Sequence, residues 1–216
     1  MIDISIKGNV YKVPTDVSEI KLSSYIEFTK HYNDFILKKN SNMDSAAIKD
    51  GVAAISCIID NFEEAAKEIE IGEYSAKSKN NTINGLMYLI SSTIITYEPE
   101  PLSDAGYRFE YKGKNWVLPY FKDYSGKINP KLSYGQYTEA METIRVCNSV
   151  EEKTLNIQFT EMLRLMASLV REEGYEREET LLSLRTLTDD NALYFSDIDM
   201  KTGLDINFFL SGTIHF

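Results

Sequence analysis

Apolar and polar residues alternate at the start of the chain. Ile2, Ile4 and Ile6 are interleaved with Asp3, Ser5 and Lys7; Lys7-Gly8-Asn9 supplies a turn, and Val10 to Val13 return. A period of two on both sides of a glycine turn predicts a β-hairpin over 2–13. Pro14 has no N–H to give a ladder and ends it. The period then changes to that of a helix: Leu22, Tyr25, Phe28, Tyr32 and Phe35 recur at helical intervals, and Ser24 precedes Glu27 at capping-box spacing. The first unit is therefore read as hairpin, short connection, helix.

The same arrangement returns about a hundred residues later. Laid without a gap on 107–119, the first hairpin places Lys7-Gly8 on Lys112-Gly113, Tyr11 on Trp116, Val13 on Leu118 and Pro14 on Pro119. Seven further residues enter around "KDYSGKINP". After them "KLSYGQYTEAMETI" falls under "EIKLSSYIEFTKHY", with Tyr137 on Tyr25 and Glu139 on Glu27. Ser133 and Gln136 repeat the capping-box spacing. The reading is of either a duplicated unit or one sheet built from two hairpins.

Between the copies the pattern predicts two helices. One carries the stripe Ile48, Val52, Ile55, Ile59, Phe62 and Ala66; the other runs over about 82–97 with Leu86, Ile90 and Ile94 on one face. "EYSAKSKNN" reads as a polar loop between them. "YEPEPLSDAG" reads as extended, because Pro99 and Pro101 restrict it. A later helix aligns Phe159, Met162, Leu163, Met166, Leu169 and Val170, and the tail from about Leu181 is read as partly helical. The fold class expected is α+β, two β-hairpin-plus-helix units packed with a helical bundle. It forms one domain over 1–216, with halves 1–97 and 107–216 as the possible duplicates.

Charge narrows the partners. The 216 residues carry a net charge of −10 without a cluster of Lys and Arg, which argues against direct binding to nucleic-acid phosphates. "REEGYEREE" (171–179) reads as a solvated helix end or loop. Cys57 and Cys147 read as buried small hydrophobes rather than a disulfide framework or zinc site. The first residues show no signal-peptide pattern. The most apolar stretch, 83–97, is too short and too polar to span a bilayer. A soluble chain made in a reducing cytoplasm is expected.

Chemistry is sparse. There are two histidines, His31 and His215, neither beside a nucleophile motif, and G-x-S-x-G, H-E-x-x-H and a P-loop are absent. "DIDMKTG" offers Asp197 and Asp199 to a calcium loop. Lys201 then takes a ligand position, the glycine comes one place late, and Phe208 stands where the bidentate Glu belongs. No enzyme, metal or cofactor is expected. The excess is aromatic, with 14 Tyr and 10 Phe. Phe208 and Phe209 read as core. Tyr120, Phe121 and Tyr124 in the insertion, and Phe216 at the terminus, read as candidates for a protein interface.

The opening "KGNVYKVPTDVSEIKLSSYIEF" and the ending "LDINFFLSG" resemble small virion proteins of tailed phages of Bacteroides and its relatives, the crAss-like group. The resemblance covers about the first 35 and last 15 residues and carries no catalytic motif. It implies a structural subunit, a ring protein of the tail or neck below the portal. Such a subunit would form a cyclic homo-oligomer, contact other virion proteins, and be made in the host cytoplasm before joining the virion. The alternative it leaves is a tail or baseplate assembly chaperone absent from the finished particle.

Overall fold

The computed structural model describes residues 1–6, 8–41, 43–71, 76–98, 108–122, 124–149, 155–175 and 180–213. It is an α+β protein that divides into two compact units, Met1–Glu98 with Thr154–Asn156, and Pro99–Lys153 with Ile157–Phe216.

The first unit opens with β1 (Ile2–Ile6) and β2 (Asn9–Val13), paired antiparallel from Ile2↔Val13 to Ile6↔Asn9. Gly8 takes φ +86°, which an L side chain resists. A 3-10 turn at Val17–Glu19 follows, then α1 (Leu22–Asn40). The capping box expected at Ser24 and Glu27 forms earlier, between Asp16 and Glu19, around the 3-10 turn. Ser24 lies inside the first turn of α1, whose N-cap Lys21 makes no side-chain cap. The face of α1 is as the pattern requires: Leu22, Tyr25, Phe28 and Phe35 are buried, and Phe28 stacks between Tyr25 and Tyr32 at 5.5 and 5.7 Å.

The isoleucine stripe is not one helix. It divides into α2 (Asp44–Ser56) and α3 (Phe62–Ile71), parted at Asn61, whose φ of 60° is left-handed. Asparagine tolerates that conformation better than most residues. Ile55, Ile59 and Phe62 remain buried across the break, so the stripe reports burial rather than continuity. In α4 (Ala76–Ile95) the helix also takes in Ala76 to Asn81, residues read as loop. Good helix formers such as Ala76, Lys77 and Lys79 outweigh the polar composition there. The segment read as extended is described only at Tyr97 and Glu98; the rest lies outside the described residues.

The second unit begins with β3 (Arg108–Tyr111) and β4 (Lys114–Val117), paired from Arg108↔Val117 to Tyr111↔Lys114. The turn is Lys112-Gly113, at φ 50° and 72°. Trp116 and Leu118 are buried as Tyr11 and Val13 are, so turn position and inward face repeat between the hairpins. They lie in separate sheets, which removes the single-sheet alternative. The insertion is a small hairpin of its own, β5 (Tyr120–Lys122) with β6 (Ile128–Pro130). Three helices complete the core with α5 (Tyr134–Ser149): α6 (Leu155–Leu169), α7 (Leu181–Phe195) and α8 (Met200–Thr213).

The acidic run is not a plain solvated loop. Arg171–Glu172 forms β7, which pairs Trp116↔Glu172 and Val117↔Arg171 on the edge of β4. At the surface Lys114 meets Glu172 at 2.7 Å and Arg108 meets Glu173 at 2.9 Å, ion pairs that accompany this pairing. On the other side the hairpin packs against the end of α7, with Trp116 edge-on to Phe195 at 4.7 Å. Lys112 covers the Tyr111 and Tyr194 rings at 5.1 and 4.9 Å and donates to the Tyr194 carbonyl. A cation is favoured at that helix end. The candidate calcium loop is a helix start: the Asp199 carboxylate accepts from the Thr202 N–H and hydroxyl and caps α8. Ile206 and Leu210 form the buried face of α8, so Phe208, expected in the core, is 52% exposed on another face.

One close approach in the first unit is directly testable. A Cβ added at Gly51 of α2 would lie 2.6 Å from Ile83 Cγ2 of α4 and 3.2 Å from the Phe35 ring of α1. Gly51→Ala should destabilise the protein by about 1–3 kcal/mol through overpacking. Gly85→Ala, in open space on α4, should instead stabilise by about 0.5–1 kcal/mol. Urea melts of the two variants check the contrast.

Candidate interaction surface

The C-terminal end of α6 organises the second unit. The last carbonyls of a helix have no partner within it, and here side chains from three elements supply donors. Gln136 Nε2 of α5 donates to the Leu169 carbonyl at 3.2 Å. Asn191 Nδ2 of α7 donates to Ala167 at 3.1 Å and Val170 at 3.4 Å. Arg171 Nη1 of β7 donates to Ser168 and Val170 at 2.8 and 2.7 Å. Gln136, Asn191 and Arg171 are all buried. The guanidinium also sits at the negative end of the helix dipole.

Gln136 has a second task. Its Oε1 accepts from the Ser133 N–H at 3.0 Å, while its own N–H donates to Ser133 Oγ at 3.1 Å. This is the capping box that the spacing predicts. The same side chain thus starts α5 and finishes α6. One turn further, the buried Glu139 receives Arg164 of α6 at 3.0 Å and lies 3.8 Å from Arg185 of α7. The hydrogen bond to Glu139 raises the Arg164 pKa above its ordinary value, against the opposing effect of burial. Thr143 donates to the Glu139 carbonyl.

These bonds turn the polar side of α5 inward. Gln136, Glu139, Ala140 and Thr143 are buried, whereas Tyr134 is 79% exposed and Tyr137 46% exposed. Met141 and Ile144 are half-buried on the same outer side, and with Thr138, Glu142 and Arg145 they line a surface depression of about 530 Å³. The overlay placed Tyr137 on the buried Tyr25. The buried set lies one residue earlier, with Gln136, Glu139 and Ala140 repeating the spacing of Tyr25, Phe28 and Thr29. One residue is about 100° of helix rotation, enough to exchange the inner and outer faces. The sequence signal that could have revealed this is the capping box, since a Gln that folds back on Ser133 at the helix start lies close to the backbone.

The residues first singled out are distributed differently. Tyr120 on β5 is 7% exposed, so little of its ring is left for an interface. Tyr124, in the β5–β6 turn, is fully exposed. The side chain of Phe121 and the whole of Phe216 lie outside the described residues. Among the described residues no group of three or more His, Cys, Asp or Glu is placed to hold a metal, and no helix is long and apolar enough to cross a membrane.

The inversion makes a prediction that composition alone would reverse. Gln136→Ala should cost about 1–3 kcal/mol, because it leaves a buried carbonyl without its donor. Tyr134→Ser, although it removes an aromatic ring, should change stability by less than about 0.5 kcal/mol. Thermal and urea unfolding of both variants measures this. Comparisons with family models, curated proteins and solved structures find no match.

Proposed function

We propose that the chain is a structural subunit of a tailed-phage virion, a ring-type protein of the tail or neck that meets other virion proteins through the outer face of α5. The observation that carries this reading is the inverted helix. Its polar side is committed to internal bonds, while the exposed Tyr134 and the half-exposed Tyr137 lie beside Met141 and Ile144. An apolar face rimmed by polar residues is the kind of surface that marks association between proteins. Tyr124, fully exposed on the β5–β6 turn, is a second contact of the same aromatic kind.

The virion setting comes from the resemblance of the opening and closing segments to crAss-like phage proteins. The cyclic homo-oligomer follows from the ring role that this resemblance implies. A net charge of −10 suits a part that contacts protein rather than packaged DNA.

Quantitative mass spectrometry of purified particles tests the proposal. The expected result is the chain present in fixed proportion to the other neck and tail proteins. Its absence from particles that assemble only when it is expressed would assign it instead to assembly as a chaperone. Particles carrying Tyr134→Ser and Tyr137→Ser should lose the subunit or fail to mature, while the isolated variant keeps the melting temperature of the native chain.

A further inference from the structure

We propose that the outer face of α5 docks into the groove between α1 and α4 of a second copy of the chain. This names the partner of the face described above and rests on that reading. The groove is a depression of about 520 Å³ in the first unit. Phe35, Ile36 and Met87 contribute to its lining, and Tyr88 and Ile95, 75% and 78% exposed, stand at its edge.

Charge favours a second copy as the occupant. A surface with net charge −10 repels its own kind over most of its area. The groove is an exception, since its lining includes no acid and a single ionised residue, Lys39, held by Asn84 at 2.8 Å. The α5 face is another, because its one acid, Glu142, is balanced by Arg145 at 3.2 Å. Bringing the two together sets no uncompensated acid of one lining against an acid of the other.

The lengths also agree. The face from Tyr134 to Arg145 and the groove wall from Asn84 to Thr96 each span about 17 Å at the helical rise. An apolar helix face laid in such a groove is a recurring mode of recognition. Groove and face belong to different units of the chain, so the contact is head-to-tail. Each copy that binds leaves one groove and one face open for the next, which closes a ring or extends a filament.

The test uses two variants of the full chain: a groove variant, Tyr88→Ser with Ile95→Ser, and a face variant, Tyr134→Ser with Tyr137→Ser. Sedimentation velocity and light scattering measure association, and circular dichroism confirms that both fold. The native chain should associate with concentration, and each variant alone at least about tenfold more weakly. An equal mixture should form a dimer and stop there, because the intact face of one variant meets the intact groove of the other. A native chain that stays monomeric at high micromolar concentration overturns the inference. So does a groove variant that associates like the native chain, or a mixture with no dimer. Particle composition is read separately: a chain found in virions whose mixture fails leaves the structural role standing. A chain absent from virions whose mixture succeeds removes the virion role and keeps the contact.

Discussion

The second unit depends on how the end of α6 is satisfied. Carbonyls in the last turn of a buried helix each cost about 1–3 kcal/mol if left without donors. Gln136, Asn191 and Arg171 supply those donors from α5, α7 and β7. Each of these elements is held in a particular rotation or register by the need to deliver one polar group to one place. Apolar contacts tolerate sliding and rotation more readily than such directed bonds do. The short β7 shows the effect. Two residues are a poor strand by themselves, yet Arg171 is fixed by the carbonyls behind it, and Glu172 and Glu173 meet Lys114 and Arg108 at the surface.

The same constraint explains the exposed face of α5. With Gln136 and Glu139 turned inward, the tyrosines on the opposite side must face outward, whatever their hydrophobicity would prefer. Polar satisfaction inside and apolar exposure outside are two consequences of one helix rotation. In the first unit the helices meet through buried apolar groups such as Phe28, Ile55 and Ile83 and the close approach at Gly51, and α1 adds polar links to its neighbours, Lys38 to Asp50 at 2.6 Å and Lys39 to Asn84 at 2.8 Å.

What the sequence disclosed follows from how local each signal is. Both hairpins were legible with their turns, because alternation, glycine and proline act over a few residues. The Ser133–Gln136 capping box was legible for the same reason, and so was part of the inward stripe of α6, where Met162, Met166 and Leu169 are buried while Phe159 and Leu163 are half-buried. The break at Asn61 was hidden because Ile55, Ile59 and Phe62 stay buried through a turn as they would through a helix. β7 was hidden because its pairing is made with residues more than fifty positions away. The α5 face was misread through a one-residue overlay, and Tyr120 was taken for a loop aromatic when it lies buried on β5.

The bonds at the end of α6 hold α5 with its polar side in and its aromatic side out. Thiol labelling measures that rotation most directly. With Cys57 and Cys147 replaced by alanine, single cysteines are placed at Tyr134 and at Ala140, which is fully buried. Tyr134→Cys should label close to the rate of an unfolded peptide, and Ala140→Cys should be protected at least about a hundredfold, reacting only on opening of the unit. Equal labelling at the two positions, or faster labelling at 140 than at 134, would contradict the account.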